Sequence, residues 1–155
     1  MAWTASKIFS ALPTDALNST ASFNLDADAL KNALFDNTIT PSQSVTSANT
    51  AYGAGVWASG GVFDVTGWPA VGRPLVSVTS VFSVNVYTLD AADTVSVNST
   101  TTITNAFGSL IYNDTLAAPV VDQGICFLYF GGANSVTNGL FTVAYNASGI
   151  ARLTL

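Results

Sequence analysis

Val76-Ser77-Val78-Thr79-Ser80-Val81-Phe82-Ser83-Val84-Asn85-Val86 is the stretch on which the reading of the fold turns. Val76, Val78, Phe82, Val84 and Val86 stand at even positions, with Ser80 as the polar member. Ser77, Thr79, Ser83 and Asn85 fill the odd positions, broken by Val81 and then Tyr87. A period of two sends alternate side chains to opposite faces of an extended chain, so the stretch predicts a strand with one buried face. Asp90-Ala91-Ala92-Asp93 then reads as a turn. Beyond it Val95, Val97, Thr101 and Ile103 alternate with polar neighbours, so the two runs predict an antiparallel hairpin.

Further on, residues 107–112 predict another strand, stopped by Asn113-Asp114. Residues 125–130 are almost continuously apolar, which suits a central strand covered on both faces and broken by Gly131-Gly132. Asn138-Gly139 is a hairpin-turn signal, and further strands are expected over 140–145 and 150–155. Toward the N-terminus, residues 41–61 are rich in Ser, Thr, Ala and Gly and predict a long loop with room for one helical turn. Residues 29–35 fit a helix or a strand. Residues 1–20 predict an arm or short helix, with Ile8, Phe9, Leu12 and Leu17 as its apolar face and Pro13 as an interruption. Six to eight strands with short turns predict one all-β domain over 1–155, an antiparallel β-sandwich or barrel with its core in 21–155.

Composition points the same way. All nine acids are Asp, and the chain has neither Glu nor His. Asp, Asn, Ser, Thr and Gly favour turns and caps, while the abundant Val, Thr, Phe and Tyr favour strands. The net charge of −5 and the pI near 4.1 offer nothing to a phosphate backbone or an anionic lipid surface, so nucleic acid and membrane are not expected as partners. Only 8% of residues are charged, although 49% are hydrophobic. Two explanations stand: neighbouring subunits cover the surface, or Ser, Thr and Asn supply the solubility. The N-terminal residues lack a basic segment followed by an apolar one, so synthesis in a cytoplasm without secretion is expected.

The absence of His removes imidazole catalysis and the commonest metal ligand, and Cys126, the only cysteine, can form neither an intrachain disulfide nor a zinc site. No enzyme, metal or cofactor is therefore expected. Cys126 lies in an apolar run and reads as a small buried hydrophobe. Asp26 with Asp28, and Asp90 with Asp93, read as turn chemistry rather than as a calcium or glycosidase site. Gly53-Ala54-Gly55 has neither the spacing nor the Lys of a phosphate loop. Trp3, Trp57 and Trp68 lie in the less regular half, either as interface or sugar-binding aromatics or as plugs under loops.

Several segments resemble a group of small virion proteins of tailed phages. They are Phe23-Asn24-Leu25-Asp26-Ala27-Asp28-Ala29-Leu30-Lys31-Asn32-Ala33-Leu34-Phe35 with Thr40-Pro41 downstream, Leu110-Ile111-Tyr112-Asn113-Asp114, Phe130-Gly131-Gly132-Ala133-Asn134-Ser135-Val136-Thr137-Asn138-Gly139-Leu140-Phe141-Thr142-Val143, and Ala147-Ser148-Gly149-Ile150. The loop over 43–61 and the segment 68–74 depart from that pattern. The resemblance implies a strand over 29–35 and a head-associated or decoration protein of a siphophage, found on the head surface. Its partners would be the major capsid protein and further copies of itself as dimers or trimers. The candidate contact residues are Trp3, Phe9, Tyr52, Trp57, Trp68 and Arg73. The alternative expectation is a minor tail or receptor-binding module that contacts a host surface glycan.

Overall fold

The computed structural model describes residues 3–154. Its centre is an antiparallel sheet built on two long strands, β8 (Thr101–Asn113) and β9 (Gly124–Gly139). β1 (Lys7–Ile8) pairs with β9 on one side. On the other side, β2 (Leu30–Phe35) pairs with β8 and then carries the short strands β3 (Gly61–Val62) and β4 (Arg73–Pro74). A second sheet has the order β11 (Ala151–Thr154), β6 (Val86–Asp90), β5 (Thr79–Ser83). A two-stranded pair joins β7 (Thr94–Val95) to β10 (Thr142–Val143). The chain is all-β and antiparallel, and among the described residues the helical pieces are α1 (Ala11–Leu17), α2 (Ser47–Thr50) and a 3₁₀ turn at Gly55–Ala58. The central sheet is open at its edges, so the architecture is a sandwich of unequal layers and not a closed barrel.

Alternation along the central strands explains the layering. Ala33 and Phe35 of β2, Leu110 and Tyr112 of β8 and Phe127 of β9 pack on one face beneath Trp3, Phe9, Ile39 and Trp57. Leu30, Ile111, Ile125 and Cys126 pack on the other face against Leu89 of β6 and Ala151 of β11. Further along that face, Leu34, Ile103 and Ala106 meet Trp68, Phe141 and Val143. The near-continuous apolar run around Cys126 is therefore a strand buried on both sides. Burial pushes the Cys126 thiol up to about 12, which makes it a poor nucleophile.

The N-terminal arm belongs to this core. Trp3 lies edge-on to Trp57, with ring centroids 6.0 Å apart, and donates its indole N–H to the Asp36 carbonyl at 2.7 Å. Gly108 makes room for it, because a Cβ there would collide with the Trp3 ring and the Leu128 carbonyl. Pro13 sits in the first turn of α1, where a missing N–H breaks no helical bond. Ile8 and Phe9 lie in or just after β1, so the expected helix face keeps only Leu12 and Leu17.

Four expectations about connections need correction. The run 76–86 is not one half-buried strand. Val84 and Asn85, with φ of 49° and 63°, form a two-residue turn that folds it into the β5–β6 hairpin. The predicted pairing across Asp90-Ala91-Ala92-Asp93 is absent, since β7 joins β10 and residues from Thr101 onward enter the central sheet. Gly131 and Gly132 do not end β9, which passes them at positive φ and continues to Gly139 through register shifts. Asn138-Gly139 does not close a hairpin, because β10 leaves β9 for β7.

Three variants test this account. Trp3→Ala is expected to destabilise the chain by about 3–5 kcal/mol in urea unfolding, the cost of emptying a large aromatic site. Deletion of residues 1–12 should abolish cooperative folding. Val84→Asn is expected to stabilise the chain by about 1 kcal/mol, because a β-branched residue is strained at positive φ and Asn is not. Val84 is 90% exposed, so no burial is lost.

Candidate interaction surface

Four of the six candidate contact residues are inside the molecule, a correction to the expectation that they meet a partner. Trp3, Phe9 and Trp57 form one aromatic cluster with Phe127, in which the Phe9 and Phe127 rings lie 5.4 Å apart. Trp68 is completely buried, donates its indole N–H to the Asn32 carbonyl at 3.1 Å and lies edge-on to Phe141. A side chain without accessible area has none to offer a partner. Tyr52 and Arg73 are half-buried and engaged locally. Tyr52 stacks on Tyr112 at 5.0 Å and donates its hydroxyl to the Ala70 carbonyl. Arg73 donates Nε to the Val95 carbonyl at 3.2 Å. The structure thus gathers Trp3, Phe9, Trp57 and Tyr52 around one core and leaves Trp68 and Arg73 elsewhere.

The carboxylates act as local acceptors. Asp28 accepts from the Asn24 amide and from Asn113 Nδ2, and Asp93 accepts from the Tyr145 amide at 2.9 Å. Asp64 organises the loop that carries Trp68, accepting backbone N–H groups of Thr66, Gly67 and Thr102 and the Thr66 hydroxyl. The Thr102 amide and the Thr66 hydroxyl lead in holding its carboxyl at about 2, below the ordinary 3.8. Among the described residues no group of three or more His, Cys, Asp or Glu is placed to hold a metal ion.

The surface that does stand out is apolar and was not anticipated. A groove of about 440 Å³ runs between α1 and the second sheet. Its walls are Leu12, Ala16 and Leu17 of the helix and Phe82 and Tyr87 of the hairpin, and Ile125 of β9 and Leu89 of β6 help line it. Leu17 is 86% exposed and Phe82 57% exposed, so apolar area reaches the rim. The helix is held in place by Asp15, whose Oδ2 accepts from Ser47 Oγ at 2.6 Å and Gln123 Nε2 at 2.7 Å. Burial pushes the Asp15 carboxyl up, but these bonds outweigh it and hold the group below its ordinary value. The sequence carried a trace of this surface in Val81-Phe82, where two adjacent apolar residues break the alternation. One of two such neighbours must face away from the core.

No family model, curated protein or solved structure matches the chain.

The Asp64 anchor gives a pH test. A carboxyl held at about 2 when folded and titrating near 3.8 when unfolded contributes stability that is full above about pH 4 and lost as pH falls toward 2. The difference in melting temperature between the native chain and Asp64→Asn is therefore expected to be constant above about pH 5 and to shrink between about pH 4 and pH 2.

Proposed function

We propose that the chain is a non-enzymatic structural protein of a phage virion, a decoration subunit that binds the outside of the head through the major capsid protein and works in many copies. The observation that carries this reading is the apolar groove and hairpin rim displayed on a stiff, double-faced β-core. An apolar groove whose rim carries exposed Leu17 and Phe82 is the kind of concave apolar surface that serves as a contact site. The low charge of the chain and the resemblance of its strand and turn segments to tailed-phage virion proteins point the same way. The role would be mechanical: a rigid body that bridges capsid subunits and buries apolar area between them, opposing the pressure of the packaged genome. The alternative, a tail module that reads a host glycan, uses exposed tryptophans as sugar platforms. The burial of Trp3, Trp57 and Trp68 takes that support away.

The test is copy number in purified virions, measured by mass spectrometry against the major capsid protein. A ratio near parity or a simple fraction of it is expected. A handful of copies per particle would move the protein to the tail and overturn the reading. Leu17→Asp should leave the fold intact and weaken binding to undecorated heads by at least about tenfold, the size of a lost apolar anchor.

A further inference from the structure

An exposed strand edge is a template for another strand, and folded chains blunt such edges with charge, proline, bulges or brevity. Most edges of this molecule are blunted in that way. β1 is two residues long and carries Lys7, and β4 is Arg73–Pro74. β3, β7 and β10 are two residues each. β11 carries Arg152. The outer half of β9 is broken by register shifts and by Gly131 and Gly132 at positive φ.

β5 has none of these devices. Thr79-Ser80-Val81-Phe82-Ser83 is a regular strand that, among the described residues, pairs with β6 alone, and Val81 and Phe82 are both more than half exposed. The whole segment 74–89 contains no Asp, Glu, Lys or Arg, in a chain of net charge −5. Two copies of an acidic chain repel one another, and the uncharged hairpin is where they can meet without setting like charges opposite each other.

We propose that the free edge of β5 is where two copies of this chain pair, antiparallel, about a two-fold axis through Val81. The register follows from the hairpin. The two-residue turn makes Ser83 and Val86 a hydrogen-bonded pair, so Val81 and Thr79 also bond inward to β6. The outward N–H and C=O groups are then those of Ser80 and Phe82. A two-fold axis at Val81 sets Ser80 opposite the partner's Phe82, and the reverse, so that the free groups bond to one another. Val81 meets the partner's Val81 as a non-hydrogen-bonded pair, the closer of the two spacings. Both sides are uncharged, so the register carries no repulsion. The second sheet becomes continuous across the dimer, and Phe82, which lines the groove, faces Ser80 of the partner subunit on the groove side.

This inference deepens the proposed multi-copy role, and its test needs only the purified full-length chain. Sedimentation equilibrium is expected to give a mass rising with concentration toward twice the 16.0 kDa of the chain. Val81→Lys, on the outward face of the hairpin, should keep the native circular-dichroism spectrum and a cooperative melt and return the monomer mass. Val81→Cys should form a disulfide-linked dimer on oxidation, because Cα atoms of such a pair lie within about 6 Å. Thr88→Cys on β6 should not, since its copies would stand about three strand spacings apart, roughly 14 Å. A wild-type chain that stays monomeric, a Val81→Lys chain that stays dimeric, or equal cross-linking at positions 81 and 88 overturns the pairing. A monomer that still coats heads would overturn the pairing and leave the decoration role. A dimer that ignores heads would do the reverse.

Discussion

A strand pair buried on both faces must find apolar cover twice, and the β8–β9 ladder sets that demand on the rest of this chain. Leu110, Ile111 and Tyr112 of β8 alternate between the two faces, Ile125, Cys126 and Phe127 of β9 are divided between them across a β-bulge, and every one of them is buried. On one face the cover is irregular chain, the N-terminal arm and the loop over 41–61, held down by Trp3, Phe9 and Trp57. On the other it is a second sheet made from β5, β6 and β11, together with the Trp68 loop and the β7–β10 pair. Neither cover is stable alone: the arm has two residues of strand, and small sheets need a face to pack against. The central ladder is also without cover unless both fold onto it. The molecule is therefore expected to fold as one cooperative unit.

The aromatic residues serve that constraint. Large rings bury much area at little cost in conformational entropy, which is useful where the covering layer is loop rather than strand. The indole N–H groups of Trp3 and Trp68 each close on a backbone carbonyl, of Asp36 and Asn32. Each bond ties a covering segment to the β2 region and satisfies a group that burial would otherwise leave unpaired. With the tryptophans buried, exposed apolar area is left to aliphatic and phenylalanine side chains, among them Leu17 of α1 and Val81, Phe82 and Val84 of the β5–β6 hairpin. The turn of the hairpin is exposed, and its two faces are unequal: Leu89 reaches the core while Val81 and Thr79 face solvent.

Much of the β content was legible in residues alone. The stop at Asn113, the covered strand around Cys126 and the turn before Ile150 lie where local chemistry places them, while the strand over 30–35 was open to a helical reading by residue type, and the loop over 41–61 holds two short helical pieces where room for one was expected. The interaction surface was not legible. Alternation marks a strand without saying whether its apolar face meets a core or water, and the run 76–86 satisfied the pattern while turning back on itself at Val84. A valine at positive φ is a poor turn former, so Asn85 alone signalled the turn. The tryptophans in irregular segments fit a surface and a core equally well by type.

What the sequence determined by itself is therefore the local part: the β class, the antiparallel habit, the lack of imidazole and paired-thiol chemistry, and the positions where turns with suitable residues interrupt strands. These depend on each residue's own conformational preference and on its immediate neighbours. Tertiary structure alone decided which strands pair, which layer covers which face, that Trp3, Phe9, Trp57 and Trp68 are core, and that β5 is an uncharged free edge. Those outcomes depend on contacts between residues far apart in the chain, such as Trp3 with Asp36 or Leu89 with Ala151. They are settled by competition for a limited buried volume, which no local window of sequence contains.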